Sequence, residues 1–180
     1  MVRTVVTSPV QERYNSTKIG GAQHLAAFLE ILLLGLWLGS MMFFSFAVAP
    51  SAFAVLPTRE SAGVIVTSTI GKVELLGLVI GPLLILLNGL KRNDNSGQAK
   101  ILRIALLVLM VMCAAISRFW ISPSMVSLRA AMGGHIDDVA STDPMRVHFN
   151  DLHQYSVALM GTAIVAGLVS LFLAVRSWLR

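Results

Sequence analysis

The sequence predicts an all-α membrane protein, an antiparallel four-transmembrane-helix bundle with a small extracytoplasmic helical cap. Three observations carry this expectation. The 180-residue chain is 56% hydrophobic and 13% charged, with a mean hydropathy of +0.76, which leaves too few polar groups to cover a solvated surface. Four apolar segments, at about 25–49, 65–90, 101–121 and 155–179, each approach the roughly 20 residues that cross about 30 Å of hydrocarbon. The first two links between them are short, which makes those neighbours antiparallel.

In chain order, residues 1–23 form a polar leader read as cytoplasmic, and residues 24–180 a single four-helix transmembrane domain. Within the first span, Gly35 and Gly39 make a GxxxG face, the spacing that lets two helix backbones approach. "SAFA" at Ser51–Ala54 imitates a signal-peptidase site, but the apolar run before it is too long for a signal-peptide core, so the helix is read as uncleaved. Pro50 and Pro57 bracket a turn and stiffen it. Thr58 is a suitable N-cap for the second span, which then outlasts the bilayer. Gly77 and Gly81 give that span its own small-residue face. Backbone contact between the two glycine faces is expected, and a homodimer through one of them is the competing explanation.

The second and third spans are joined by "KRNDNSGQAK", read as a flexible cytoplasmic turn. After Pro123, "SMVSLRAAMGG" is expected to form a short helix stopped by Gly133 and Gly134. Asp143 followed by Pro144 has the N-cap and first-turn chemistry of a helix start that runs without a breaker into the fourth span. These pieces supply the cap.

Basic residues orient the bundle. Nine lie at the leader, the link between spans two and three and the C-terminus (Arg3, Arg13, Lys18, Lys91, Arg92, Lys100, Arg103, Arg176, Arg180), against three on the other side (Arg59, Arg129, Arg146). The positive-inside rule then puts both termini in the cytoplasm.

Ionisable residues inside a span are site candidates once their depth is settled. Counting about 20 residues back from Lys91 reaches Gly71, so Lys72 and Glu74 fall at the outer boundary. Two residues apart on a helix, they point roughly 200° from each other and cannot pair. Glu74 shares a stripe with Gly71, Gly77, Gly81 and Asn88 and is aimed into the bundle, whereas Lys72, with Leu76, Val79 and Leu83, faces lipid and snorkels. Arg118 and His153 fall at a depth similar to Glu74, each on a plausible inward face. Glu74, Arg118 and His153 therefore form the candidate polar site, with Arg118 the expected partner of Glu74. Two readings stay open: a polar pocket open to the outside, in which the histidine could act as a proton-linked switch, or an ion pair that serves packing alone. Glu30 and His24 fall at the inner boundary and read as interfacial residues.

Other chemistries fit poorly. His24 and His153 lie at opposite depths and cannot share a haem. His135, Asp137, Asp138, His148, Asp151 and His153 carry suitable ligand atoms, but His148 and His153 point apart on one helix, so no metal is expected. Cys113 is the only cysteine, which excludes an intrachain disulfide or a CxxC motif. No P-loop, dinucleotide fingerprint or nucleophile elbow is present, no cofactor is expected, and no basic surface interleaved with aromatics points to nucleic acid.

The segment "LWLGSMMFFSFAVAPSAFAVLPTRESAG" carries Trp37, Gly39, Phe43, Phe44, Ala49, Pro50, Phe53, Leu56, Pro57, Ala62 and Gly63 in a recognisable order. Further on, "WISPSMVSLR" and "FNDLHQYSVAL", with Phe149, Leu152, His153 and Ser156, continue it. These stretches resemble the bacterial membrane family of domain of unknown function 4149, related to eukaryotic transmembrane protein 205. The chain departs from that family at "TIGKVELLG", where members often carry an aromatic-rich Phe-Pro-x-Tyr-like stretch. The resemblance implies a four-span membrane protein and no defined reaction. The resulting expectation is a non-enzymatic structural or interaction protein of the cell envelope, whose partners are the lipid bilayer and a second copy or another membrane protein. A small carrier or channel for an ion or solute, using the Glu74, Arg118 and His153 site, is the alternative. A haem- or quinone-linked oxidoreductase ranks behind both.

Overall fold

A computed structural model describes residues 9–90 and 97–178, and every regular element among them is helical. Of the turn expected at Lys91–Lys100, residues 91–96 lie outside the described residues, and Gly97–Lys100 are not a turn but the first turn of a helix. The elements are α1 (Pro9–Phe43), α2 (Ala49–Val55), α3 (Arg59–Leu90), α4 (Gly97–Ile116), α5 (Ser122–Ala131) and α6 (Pro144–Trp178), with a 3-10 turn at Ile136–Asp138. Four stretches are long and apolar enough to cross a membrane: His24–Val55, Arg59–Gly89, Gln98–Ala131 and Pro144–Ser177. Much of their apolar surface, such as Leu36, Phe46, Val79, Phe119 and Phe172, points away from the protein, as a lipid-facing surface must.

The first and third stretches exceed the apolar windows of the sequence because they pass through their prolines. A π-helical turn at Phe44–Val48 precedes Pro50, and another at Ser117–Ile121 precedes Pro123. Proline lacks an N–H and its ring collides with the carbonyl four residues back. The wider turn relieves that collision: Ala49 N–H bonds to Phe44 O and Ser122 N–H to Ser117 O, each five residues back. The short helix expected after Pro123 is thus α5, the continuation of α4. It stops where the sequence indicates: Gly133 and Gly134 take φ of 69° and 86°, and their N–H groups cap Ala130 O and Arg129 O at 3.0 Å each.

Both helix starts hold as well. Thr58 Oγ1 accepts the Ser61 N–H at 3.1 Å to cap α3, and Asp143 Oδ1 accepts the Met145 N–H at 2.8 Å ahead of Pro144 in α6. Hydroxyls along the spans, as at Ser40, Thr69 and Thr162, bond back to the carbonyl four residues earlier at 2.8 Å, which satisfies them without a partner helix.

α1 packs on α3 and α6, and α4 on α3 and α6. Between them Leu34, Trp37, Leu84, Leu107 and Met110 are each at most 1% exposed. The expected contact between two glycine faces does not form. A Cβ on Gly77 would lie 2.5 Å from Trp37 Nε1, and one on Gly81 would lie 3.4 Å from the same ring. Gly77 therefore seats the α1 tryptophan, whereas a Cβ on Gly81 would collide first with Val111 of α4. A Cβ on Gly35 or Gly39 would meet nothing within 4 Å, so that face is uncovered in the single chain.

Candidate functional site

Glu74, Arg118 and His153 are not brought together. Glu74 is buried at 3% exposure, on the inward face expected of it. Its Oε1 accepts hydrogen bonds from Ser117 and, at 3.4 Å, from Ser122, while Oε2 has no partner among the described residues. Ser117 opens the π turn and Ser122 closes it, so the widened turn presents two hydroxyls to one carboxylate. Arg118 makes no direct bond to the carboxylate and supplies only a longer-range attraction. It is exposed, its Nη1 would sit 3.2 Å from a Cβ on Gly71, and among the described residues no ion pair joins it to Glu74. The residue before Arg118 takes the partner role assigned to it, because Ser117 lies on the buried stripe with Met110 and Cys113. Lys72 is exposed, in keeping with a lipid-boundary role. Beside Glu74 lies a cavity of about 20 Å³, walled by Trp37, Met41, Cys113, Ser156 and Met160 among others, room for about one water.

A second polar cluster corrects the reading of Glu30 as an interfacial residue. Glu30 is 2% exposed, Asn88 2% and Arg103 7%. Arg103 Nη2 forms an ion pair with Glu30 Oε1. Asn88 Nδ2 donates to the same oxygen at 2.8 Å and to Leu84 O at 3.0 Å. Arg103 Nη1 donates to Ser177 Oγ at 3.3 Å. All four long helices thus meet around one carboxylate.

A more open space, a pocket of about 700 Å³, lies at the opposite end of α3 from Asn88. Phe53 of α2, Pro57, Thr58, Glu60, Gly63 and Val66 supply one side, and Met125 and Arg129 of α5, the 134–138 segment, and Arg146, Phe149, Asn150 and His153 of α6 the other. Its charges are sorted by geometry. Asp137 Oδ1 lies 3.9 Å from Arg59 and 3.5 Å from Arg146, and Arg146 also donates to the carbonyls of Asp137 and Val139. Glu60 Oε2 lies 3.0 Å from His135 Nδ1. Arg129 is different: its Cζ sits 5.7 Å from the Phe149 ring centroid, and its sealed Nε has no hydrogen-bond partner among the described residues. Gly63 makes room for it, since a Cβ there would lie 2.8 Å from Arg129 Nη2.

Many of the residues that carry the family resemblance fall in the core or the pocket, while Gly39, Phe43 and Pro50 face outward. Trp37 fills the helix interface, Pro50 follows the first π turn, and Phe53, Pro57 and Gly63 line the pocket, where Phe149 and His153 join them. Read from the sequence, Arg129 and Arg146 count only as orienting charges, His135 is weighed only as a metal ligand and Glu60 has no role, so none of the four is placed in a pocket. Among the described residues no three of His, Cys, Asp and Glu converge as metal ligands would.

A helical chain with four membrane-length apolar helices and a polar pocket at one end defines a class of membrane protein without defining a reaction. Within it, the chain belongs to the family of domain of unknown function (DUF4149), whose model matches residues 32–133. No curated protein and no solved structure matches the chain.

Proposed function

We propose that this is a non-enzymatic integral protein of the bacterial inner membrane that binds a small solute in the Arg129 pocket without conducting it through the bundle. In this reading the spans are antiparallel, both termini are cytoplasmic, and the pocket opens outward beneath a cap made by the 132–143 segment. The distribution of basic residues, nine against three, supports that orientation.

One observation carries the proposal: a pocket of about 700 Å³ in which Phe53, Pro57 and Gly63 converge with Arg129 and His153, a volume typical of small-molecule sites. The packed centre below it favours binding over free passage, since Trp37, Leu84, Leu107 and Met110, each at most 1% exposed, fill the space between the helices. It also replaces Glu74, Arg118 and His153 as the site of the carrier alternative, because only His153 of the three reaches the pocket.

The test is a fragment screen by saturation-transfer NMR on the purified protein in neutral detergent, repeated on Val66→Trp, which fills the pocket from α3. Hits that vanish in the variant support the pocket as the binding site. Hits that persist remove it. In proteoliposomes, wild-type protein should leave the passive leak of a small anionic dye at the protein-free level, and a clear increase would replace binding by conduction.

A further inference from the structure

The charges around the pocket leave one group unanswered. Arg59 and Arg146 share Asp137, and Glu60 is engaged by His135. Of the three pocket arginines, Arg129 alone makes no hydrogen bond or ion pair among the described residues, and Glu60 supplies only a longer-range attraction. Its Nε is sealed from solvent and unpartnered. Three features hold the guanidinium where it is: stacking over Phe149, the space left by the missing side chain of Gly63, and the glycine stop that caps Arg129 O. A guanidinium offers a planar fork of donors suited to oxyanions, and stacking on an aromatic face holds that fork without using its donors. Around it, Phe53, Val66, Met125 and Phe149 are apolar.

We propose that Arg129 is the recognition group of the pocket for an oxyanion, a carboxylate or phosphate, joined to a compact apolar body. This rests on the reading of the pocket as a solute site and names the chemistry of the solute. The oxyanion takes the guanidinium donors that face the pocket, and the apolar body packs between Phe53 and Phe149. The nearby acidic groups set the selectivity. Glu60 and Asp138 face the same space, so a dianionic or highly charged ligand meets repulsion that a monoanion with an apolar body largely avoids.

The experiment uses the full chain in neutral detergent, titrated by calorimetry with sodium benzoate, with benzyl alcohol as its neutral counterpart, and with inorganic phosphate as an oxyanion without an apolar body. Benzoate should bind at least about tenfold more tightly than either, and Arg129→Gln should lose about tenfold or more, the usual weight of a charge-assisted hydrogen bond. Gly63→Ala, which pushes the guanidinium off its seat while keeping the charge, should weaken benzoate several-fold and serves if Arg129→Gln fails to fold. Equal binding of benzoate and benzyl alcohol, or benzoate binding untouched by both variants, overturns the role of Arg129 but leaves the pocket a solute site. A parallel arm compares phosphatidylglycerol and phosphatidylcholine retained by the protein from mixed nanodiscs, read by native mass spectrometry. Arg129-dependent enrichment of phosphatidylglycerol without benzoate binding keeps the oxyanion assignment and makes a lipid headgroup its source, which overturns the free-solute reading. No benzoate binding and no lipid enrichment overturn both.

Discussion

Two glutamates are buried to almost the same degree, and their surroundings differ in kind. Glu30, at 2% exposure, meets a guanidinium and an amide, and the arginine reaches on to a fourth helix. Glu74, at 3%, meets two serine hydroxyls on one oxygen and, among the described residues, no hydrogen-bond donor on the other, beside a space for about one water, with Arg118 adding only a longer-range attraction. A buried carboxylate can be answered by an opposite charge or by a few neutral donors. The first answer ties helices together at the cost of desolvating two ions, and removing one partner strands the other. The second ties them loosely and tolerates change. Burial alone therefore says little about what a charged residue does in this bundle; the identity of its donors says more.

Four substitutions would break or sharpen this contrast, read as unfolding free energy in mixed micelles. Arg103→Met has the largest expected effect, a loss of about 3–5 kcal/mol from leaving Glu30 buried without its ion-pair partner. Adding Glu30→Met should recover most of that loss, and a double change no better than the single would refute the pairing. Gly77→Ala comes next, at about 1–3 kcal/mol for overpacking, because its Cβ would strike the rigid Trp37 ring that walls the Glu74 cavity. Gly35→Ala, in open space, is its matched control. Glu74→Gln keeps an acceptor for Ser117 and should cost no more than about 1 kcal/mol; a loss as large as that of Arg103→Met would erase the difference between the two glutamates. Smallest is Arg118→Met, expected within about 0.5 kcal/mol of wild type because its side chain is exposed. A large loss there would restore the ion pair with Glu74 that the sequence suggested.

Helix number, the Thr58 and Asp143 caps and the Gly133–Gly134 stop were legible because each depends on residues adjacent in the chain. The inward aim of Glu74 was legible from its stripe of small residues. The same test, applied to Glu30, would have placed it on one face with Leu34, Trp37, Leu38 and Met41, all buried; judging it by depth alone hid that. Arg103 was likewise counted as an orienting charge, though it shares a stripe with Leu107, Met110 and Ser117. That Ser117 and not Arg118 meets Glu74 could have been read from ordinary helical spacing, since Ser117 continues the stripe of Leu107, Met110 and Cys113. Seeking an opposite charge for the carboxylate hid it, and the π turn that begins there shifts the phase only of the residues that follow. The pocket was illegible for a different reason. It gathers side chains from α2, α3, α5, α6 and the 134–138 segment, and no local pattern links five separated pieces of chain.

That π turn at Ser117–Ile121 has a consequence for how the molecule is aimed. A π turn carries one residue more than the α-helical turn it replaces, and one residue on an α-helix is a rotation of about 100°. The turn is in effect a phase shifter between the half of the helix that packs in the core and the half that carries Arg129. With that residue deleted, α4 would keep its seat while α5 swung by more than a quarter of a circle and carried the guanidinium off Phe149. The direction in which Arg129 looks is therefore set by one residue's worth of extra turn, outside the pocket, in the stretch that opens with the Ser117 hydroxyl on Glu74.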